Sequence, residues 1–189
     1  MFGRSAFKFT SASPSRLVVG PGTKARDFNW LWCQTVPDWT IDCWVWVDSY
    51  NGSLFSAVFA CPAHTDEPGG VRILIRSVDS QCDIMCGRSS VSQTCRGEPL
   101  PFQQWCHVAM VKHKNMLRYY INGVLQSEVT SSIELGTHYY AASDFYIGGG
   151  YDDSYGHSRY NFNGYIQDFR IIKGIALYRD DTYDVPQTI

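Results

Sequence analysis

The chain has 189 residues and a formal net charge of −2, with 44% hydrophobic and 15% aromatic residues. A chain of this size and composition buries a core of its own, which excludes an intrinsically disordered protein. The near-neutral charge argues against nucleic acid or an anionic membrane as a partner, because neither would meet a strong basic field.

Apolar and polar residues alternate along the first clear strand, "TIDCWVWVDSY" at 40–50. The alternation places Ile41, Cys43, Val45 and Val47 on one face and Asp42, Trp44 and Trp46 on the other. The aromatic residues of the second face predict that it is partly covered too. The segments "GGVRILIRSV" and "WCHVAMVKH" are similar runs rich in β-branched or aromatic residues, and we expect strands there.

Three Asn-Gly pairs follow or separate such runs, at 51–52, 122–123 and 163–164. Asn and Gly tolerate the positive φ angles of a type I′ turn, whose twist suits a β-hairpin. The pair at 122–123 lies between two strand patterns in "LRYYINGVLQSEV", so it predicts a hairpin.

The pair at 163–164 predicts a turn into a last long strand. In that strand Phe169 and Ile171 should face the core, while Asp168 and Arg170 face outward. After Lys173-Gly174, the segment "IALYRDD" has room for one helical turn before an extended end.

Sustained helical periodicity is absent from the sequence, so we expect an all-β, mainly antiparallel protein. With this many strands, the chain must close into a sandwich or barrel. No linker, low-complexity tract or internal repeat divides it, which predicts a single domain over residues 1–189.

The seven cysteines indicate buried free thiols more than disulfides, because an odd count leaves one unpaired. Cys43 and Cys106 lie in strand-like runs, where a thiol behaves as a small hydrophobic group. Cys82, Cys86 and Cys95 lack the paired short spacings of a zinc site, so we expect no bound metal there.

Several of these segments together resemble the laminin-G-like, concanavalin-A-like jelly-roll family. The hairpin segment "QWCHVAMVKHKNMLRYYINGVL" and the closing segment "FNGYIQDFRIIKGIALY" carry most of the resemblance. The segments "SAFKFTSASPSRLVV", "WTIDCWVWVD" and "FYIGGG" occur in the order that the family shows. The resemblance implies an antiparallel jelly-roll β-sandwich that acts as an interaction module. Domains with this closing strand are frequent in bacteriophage structural proteins and in large bacterial and viral surface proteins.

Motifs of catalysis are missing from the sequence, so we do not expect an enzyme. Related glucanases use two carboxylates a few residues apart on one strand, and no E-x-D-x-E run occurs here. The pairs Asp152-Asp153 and Asp180-Asp181 are adjacent, so on a strand their side chains would point to opposite faces. No G-x-S-x-G, H-E-x-x-H or phosphate-binding glycine loop is present.

A loop rich in tyrosine and carboxylates, at 148–164, is the candidate ligand site. Tyrosines stack on the apolar face of a sugar, and carboxylates and histidine hydrogen-bond its hydroxyls. Calcium is an alternative ligand, although the loop supplies only part of its six to eight oxygens. Alternatively, this is a solvated loop whose tyrosines pack on the rim of the sandwich or on a neighbouring subunit, and the sequence favours that interpretation. The candidate residues are Tyr151, Asp152, Asp153, Tyr155, His157 and Tyr160.

An assembly role is the other interpretation, and the sequence favours it as the main one. Trp30 and Trp32 lie in the irregular stretch "RDFNWLWCQTVPDW", where exposed aromatics would anchor a protein interface. Alternatively, they fold back on the sandwich as a hydrophobic lid. The expected function is a bacteriophage virion protein that decorates the capsid. Its partners would be the major capsid protein, other virion proteins or further copies of itself.

The expected location is the virion, after synthesis in a host cytoplasm. Residues 1–15 lack the apolar region of a secretory signal, and no stretch approaches the ~18 apolar residues of a membrane span. The alternative function is a carbohydrate-binding adhesin of a tail fibre or surface protein, whose partner would be a cell-surface glycan. Neither interpretation needs a cofactor.

Overall fold

The computed structural model describes residues 5–10, 15–19, 38–49, 55–61, 71–76, 81–86, 93–130, 145–149 and 160–187. At 55, 61, 81–86, 93 and 94 it describes the backbone alone. These residues form twelve strands, and no helix occurs among them that could cross a membrane. In chain order the strands are β1 (Phe7–Phe9), β2 (Leu17–Val19), β3 (Trp39–Val47), β4 (Phe55–Cys61), β5 (Val71–Arg76), β6 (Gln81–Cys86), β7 (Gln93–Pro99), β8 (Trp105–His113), β9 (Met116–Ile121), β10 (Val124–Thr130), β11 (Phe145–Ile147) and β12 (Gly164–Lys173).

The strands form two antiparallel sheets of six strands each. Sheet A has the order β1-β12-β3-β8-β9-β10, and sheet B has the order β2-β11-β4-β5-β6-β7. One cluster of buried residues from both sheets forms the core between them. The expected all-β sandwich is therefore confirmed, while its extent over residues 1–189 stays a prediction.

The inner face of sheet A follows the period of two predicted for β3. Ile41, Cys43 and Val45 are fully buried in the core, as expected. The alternate residues Trp44 and Trp46 lie on the outer face, which is the face directed away from sheet B, and both are half-buried. This arrangement confirms the predicted faces of the strand.

Among the side chains that the structure describes, those of Cys43, Cys95 and Cys106 are buried in the core as thiols outside any disulfide. Burial raises the pKa of the Cys95 thiol to about 11, and it raises the pKa of Cys106 as well. These thiols are therefore protonated at neutral pH and act as small apolar side chains. The interpretation of Cys43 and Cys106 as core residues is confirmed.

The β9–β10 hairpin has the turn that its Asn-Gly pair predicts. Asn122 and Gly123 have φ angles of 49° and 79°, both positive as a type I′ turn requires. The Asn122 side chain also accepts a hydrogen bond from the His107 amide at 2.8 Å. A Cβ at position 123 would collide with the carbonyl oxygen of Tyr183, so this turn has room for glycine alone.

The pair Asn163-Gly164 leads into the last long strand, as predicted. Gly164 is the first residue of β12 and pairs with Val47 of β3. Glycine is required because a Cβ would meet the backbone carbonyl of Trp46. The pair at 51–52 lies outside the described residues.

The C-terminal segment (175–187) is irregular, so the predicted helical turn is wrong. Several of its backbone groups bond to sheet A. The Thr40 hydroxyl donates to the Ile175 carbonyl at 2.9 Å and accepts from the Leu177 amide at 3.0 Å. Further along, the Tyr183 amide donates to the Gly123 carbonyl at 2.8 Å. These bonds hold the segment across the outer face of the sheet.

Candidate functional site

Most of the predicted site residues lie outside the described part of the chain. These are Tyr151, Asp152, Asp153, Tyr155 and His157 of the loop, together with Trp30 and Trp32. Tyr160 is described, and it is half-buried with a φ of 60°. Its carbonyl accepts a hydrogen bond from the Ala57 amide at 2.8 Å, which fixes the chain beside β4.

An aromatic row crosses the outer face of sheet A. Tyr165 of β12, Trp46 of β3 and Trp105 of β8 lie directly opposite one another on adjacent strands. All three are half-buried, so part of each ring faces solvent. The rings of Trp46 and Trp105 have centroids 5.8 Å apart and an interplanar angle of 61°. The row is thus a continuous aromatic surface on three strands.

Polar neighbours fix the rings of this aromatic row. The Trp46 indole N–H donates to the Asp48 carboxylate at 2.8 Å. The Lys8 ammonium lies 5.3 Å from the centroid of the Tyr165 ring, within the range of a cation–π contact. Because the rings are held before any ligand arrives, a ligand that stacks on them would lose little affinity to their ordering.

A pocket of about 410 Å³ adjoins the aromatic row. Trp44 lies two residues from Trp46 on the same face of β3 and forms one wall. Its ring is 5.3 Å from that of His107, at an interplanar angle of 71°. The lining residues, from three strands and the C-terminal segment, are Trp44, His107, Asp168, Phe169, Arg170, Pro186 and Gln187.

A β-bulge in β12 shapes one side of this pocket. The pairing with β3 shifts between Gln167 and Arg170, and Asp168 has a φ of 52°. The extra residue lets Phe169 pack on Phe59 in the core, at 5.6 Å between centroids, while Asp168 and Arg170 are exposed. The predicted inward and outward residues of this strand are confirmed.

Beneath the pocket, a buried carboxylate holds Arg170 in place. The Asp42 side chain is only 1% exposed, and the Arg170 Nε and Nη2 atoms donate to its two oxygens at 2.8 and 2.5 Å. The Tyr178 hydroxyl also donates to Asp42, at 2.7 Å. The Asp42 hydrogen bond raises the pKa of Arg170, and burial followed by Asp42 raises that of Tyr178. This Asp42 network ties the C-terminal segment to β3 and β12.

His107 forms the floor of the pocket in its neutral form. Burial lowers its pKa to about 4, which outweighs the raising effect of Asp42. Its Nδ1 atom lies 2.8 Å from the Tyr183 hydroxyl, and its Nε2 atom lies 3.8 Å from the Asp42 carboxylate. The described residues contain no group of three or more His, Cys, Asp or Glu that could hold a metal ion. The lining of the pocket offers aromatic rings for stacking and polar groups for hydrogen bonding.

Sequence reasoning predicted that Trp44 and Trp46 share a partly covered face, but not that they belong to a site. Trp105 and Tyr165 were not singled out. The sequence does show an aromatic residue at an outward position of each of the three strands. To place these residues side by side, one must know the register between β12, β3 and β8, which a single sequence does not provide.

The chain matches the Laminin_G_3 family model, described as the concanavalin A-like lectin/glucanases superfamily, over residues 26–180. No curated protein sequence matches it at a significant level.

Solved structures with the same fold include glycan complexes. The CBM40 of a Ruminococcus gnavus IT-sialidase, bound to α2,3 sialyllactose, has a TM-score of 0.69 at 11% identity, with 92% of each chain covered. Domain 4 of AbnA, a GH43 extracellular arabinanase from Geobacillus stearothermophilus in complex with arabinotriose, has a TM-score of 0.59 at 18% identity, covering 93% of this chain and 84% of that one.

A heptameric SAP-like pentraxin from Limulus polyphemus has a TM-score of 0.52 at 16% identity. That likeness covers 72% of this chain and 64% of the pentraxin, so the chain spans less than two thirds of that protein. At such identities these likenesses show a shared jelly-roll fold. Because the family model matches well over half of its length, the chain belongs to the concanavalin A-like lectin/glucanases superfamily.

Proposed function

We propose that this protein is a carbohydrate-binding module that acts without catalysis and binds glycans on the outer face of sheet A. The aromatic row is the observation that carries the proposal. Tyr165, Trp46 and Trp105 present three partly exposed rings side by side, next to a pocket lined by charged and polar groups.

The chemistry of this surface suits a sugar. A pyranose or furanose ring has apolar C–H faces and an edge of hydroxyls, so it stacks on an aromatic ring and hydrogen-bonds at its edge. The rings supply the stacking surface. Asp168, Arg170 and Gln187 at the pocket supply acceptors and donors for hydroxyls.

The structural neighbours support the same function. One of them is bound to sialyllactose and another is in complex with arabinotriose. Both descriptions concern those proteins, and their sequence identities of 11% and 18% carry no ligand over to this chain. They support glycan binding, which was the alternative interpretation of the sequence, better than capsid decoration.

The virion interpretation has no support from the comparisons. Capsid decoration, the capsid protein as partner and a location on the virion stay predictions. The loop residues Tyr151 to Tyr160 stay a second candidate contact for a glycan, with calcium as a further candidate ligand. A glycan-binding module on a viral or bacterial surface appendage would be compatible with both the fold and the proposed function.

Alanine in place of Trp46 or Trp105 should weaken glycan binding by about 2 kcal/mol, or roughly 30-fold, because each ring would be a central stacking contact. A glycan array would identify a ligand for the wild-type protein, and calorimetry would measure its affinity for each variant. Trp46→Phe should retain much of the affinity, since it keeps a stacking ring. Phe7→Ala is the matched control, because Phe7 is an aromatic residue that is 63% exposed and pairs with the inward-facing Ile166, on the other face of sheet A from the row.

Two results would contradict the proposal. Absence of binding to every glycan on arrays of plant, bacterial and animal origin would remove the function itself. Binding that survives both tryptophan variants, but is lost in Tyr155→Ala or Tyr160→Ala, would move the site to the loop. Thermal unfolding of each variant, followed by circular dichroism, separates a loss of contact from a loss of fold.

A further inference from the structure

We propose that the C-terminal segment makes this site an end-binding pocket, which holds the terminal residue of a glycan and prefers a neutral sugar there. The inference rests on the proposed function and specifies its ligand class. Three features carry it: the course of the segment across β3, its anchoring, and the charges that line the pocket.

The outer face of β3 is open at one end and covered at the other. Trp46 is half-buried within the aromatic row, and Trp44 forms a wall of the pocket. The next two outward residues, Asp42 and Thr40, are fully buried beneath the C-terminal segment. A glycan that lies along the strand therefore meets the segment after Trp44. The last sugar of such a chain would occupy the pocket, and the preceding sugar would lie over Trp46 of the aromatic row.

The blocking wall is firmly anchored to sheet A. Tyr183 stacks on Tyr178 with ring centroids 3.6 Å apart and an interplanar angle of 7°. Thr182 forms a β-bridge with Val124, and the Asp181 carbonyl accepts from the Leu125 amide at 2.8 Å. Pro186 and Gln187, which line the pocket, follow within four residues of Tyr183. The wall is thus part of the folded sheet.

The charges at the pocket favour a neutral sugar. The exposed Asp168 carboxylate accepts hydrogen bonds from hydroxyls, but it repels a carboxylate on the ligand. Arg170 is the nearby cation of the lining, and its Nε and Nη2 atoms already donate to Asp42. Its charge is therefore largely balanced by the protein. A terminal sugar with vicinal hydroxyls and no charge fits this set best.

Glycan families that share a core and differ at the terminal residue provide the test. The wild-type protein should bind members with one neutral terminal sugar, and extension of that terminus by one residue should weaken binding at least about tenfold, because the wall leaves no room. Asp168→Asn should weaken binding about tenfold through the lost charged hydrogen bond. Asp184→Asn is the matched control, since Asp184 is an exposed carboxylate of the C-terminal segment that does not line the pocket.

The side of the pocket formed by Pro186 and Gln187 is tested by the double variant Pro186→Ala, Gln187→Ala, and by a chain that ends at Asp184 and so keeps Tyr183. Both should weaken binding of the glycan with the neutral terminal sugar about tenfold, because they remove part of the pocket lining. Both should keep the preference for the shorter glycan, since Leu177 and Tyr178 still cover Thr40 and Asp42. One result would refute the end-binding pocket and leave the proposed glycan-binding function intact. In that result binding requires Trp46 and Trp105, but its affinity is unchanged by extension of the terminus, by Asp168→Asn and by the shortened chain. A preference for sialylated termini would refute the neutral ligand. No binding at all would refute the proposed function instead.

Discussion

Replacement of Asp42 by alanine is expected to lower the free energy of unfolding by about 2–3 kcal/mol, because a buried acceptor of charge-assisted hydrogen bonds is lost while the Arg170 side chain, which is 43% exposed, stays solvated. The carboxylate is 1% exposed and accepts hydrogen bonds from Arg170 and from the Tyr178 hydroxyl. Without it, the Arg170 guanidinium loses its partner, and the Tyr178 hydroxyl loses its acceptor in a buried site. The C-terminal segment should also become more accessible, because Tyr178 belongs to it.

Chemical denaturation of Asp42→Ala and wild type, monitored by tryptophan fluorescence, measures this effect. Glu128→Ala is the control, since it breaks the Arg118–Glu128 ion pair of 3.0 Å, in which the Glu128 side chain is 43% exposed. That change should cost no more than about 1 kcal/mol, as surface pairs do. Equal losses in the two variants would show that the Asp42 network contributes no more than a surface pair.

Lowering the pH from 7.5 to 5 should destabilise the protein through His107. Burial lowers the pKa of its imidazole to about 4 from an ordinary value of 6.5. Below pH 6.5 the unfolded chain takes up a proton that the folded protein does not, so the free energy of unfolding falls as the pH falls. The stability that the protein has while His107 is neutral is fully present above pH 6.5, and it is lost progressively as the pH falls towards 4. Between pH 7.5 and pH 5 the loss amounts to about 2 kcal/mol.

Urea unfolding at intervals between pH 7.5 and pH 5 measures the slope, and the lower limit keeps most carboxylates ionised. The variant His107→Gln should be less stable at neutral pH, because it loses the bond to Tyr183, but its stability should vary less over the window. His113→Gln is the control for a half-buried histidine at the other end of β8, whose side chain is 29% exposed beside Asp38. A slope unchanged in His107→Gln would assign the pH dependence to other groups.

Local patterns in the sequence were sufficient for the strands but not for the site. The period of two in β3 and the Asn122-Gly123 turn depend on neighbouring residues, and both occur as predicted. The Asp42–Arg170 pair joins residues 128 positions apart, so no window of sequence contains it. The same reason applies to the aromatic row, whose members lie on strands that become neighbours only in the fold.

Two local signals gave wrong or incomplete predictions. One helical turn was predicted over 175–181 because the segment is long enough for it. Instead, Thr40 and the β9–β10 turn take up backbone hydrogen-bonding groups of the C-terminal segment. Alternation in β12 was correct for Phe169 and Ile171, yet it gave no sign of the bulge at Asp168. A β-bulge is defined by how a strand pairs with its neighbour, so the sequence of β12 alone does not predict it. The pocket beside Asp168 was therefore not predicted either.

The position of β12 in sheet A has a consequence for how the protein is made. This strand contains residues 164–173, yet it lies between β1 and β3, which come from the first quarter of the chain. During synthesis, β3 therefore exposes one unpaired edge until the last strand leaves the ribosome. Pairings so distant in sequence close slowly, and an open edge invites association with other chains. A ribosome-bound chain that stops before residue 164 should therefore be the form of this protein most prone to aggregate.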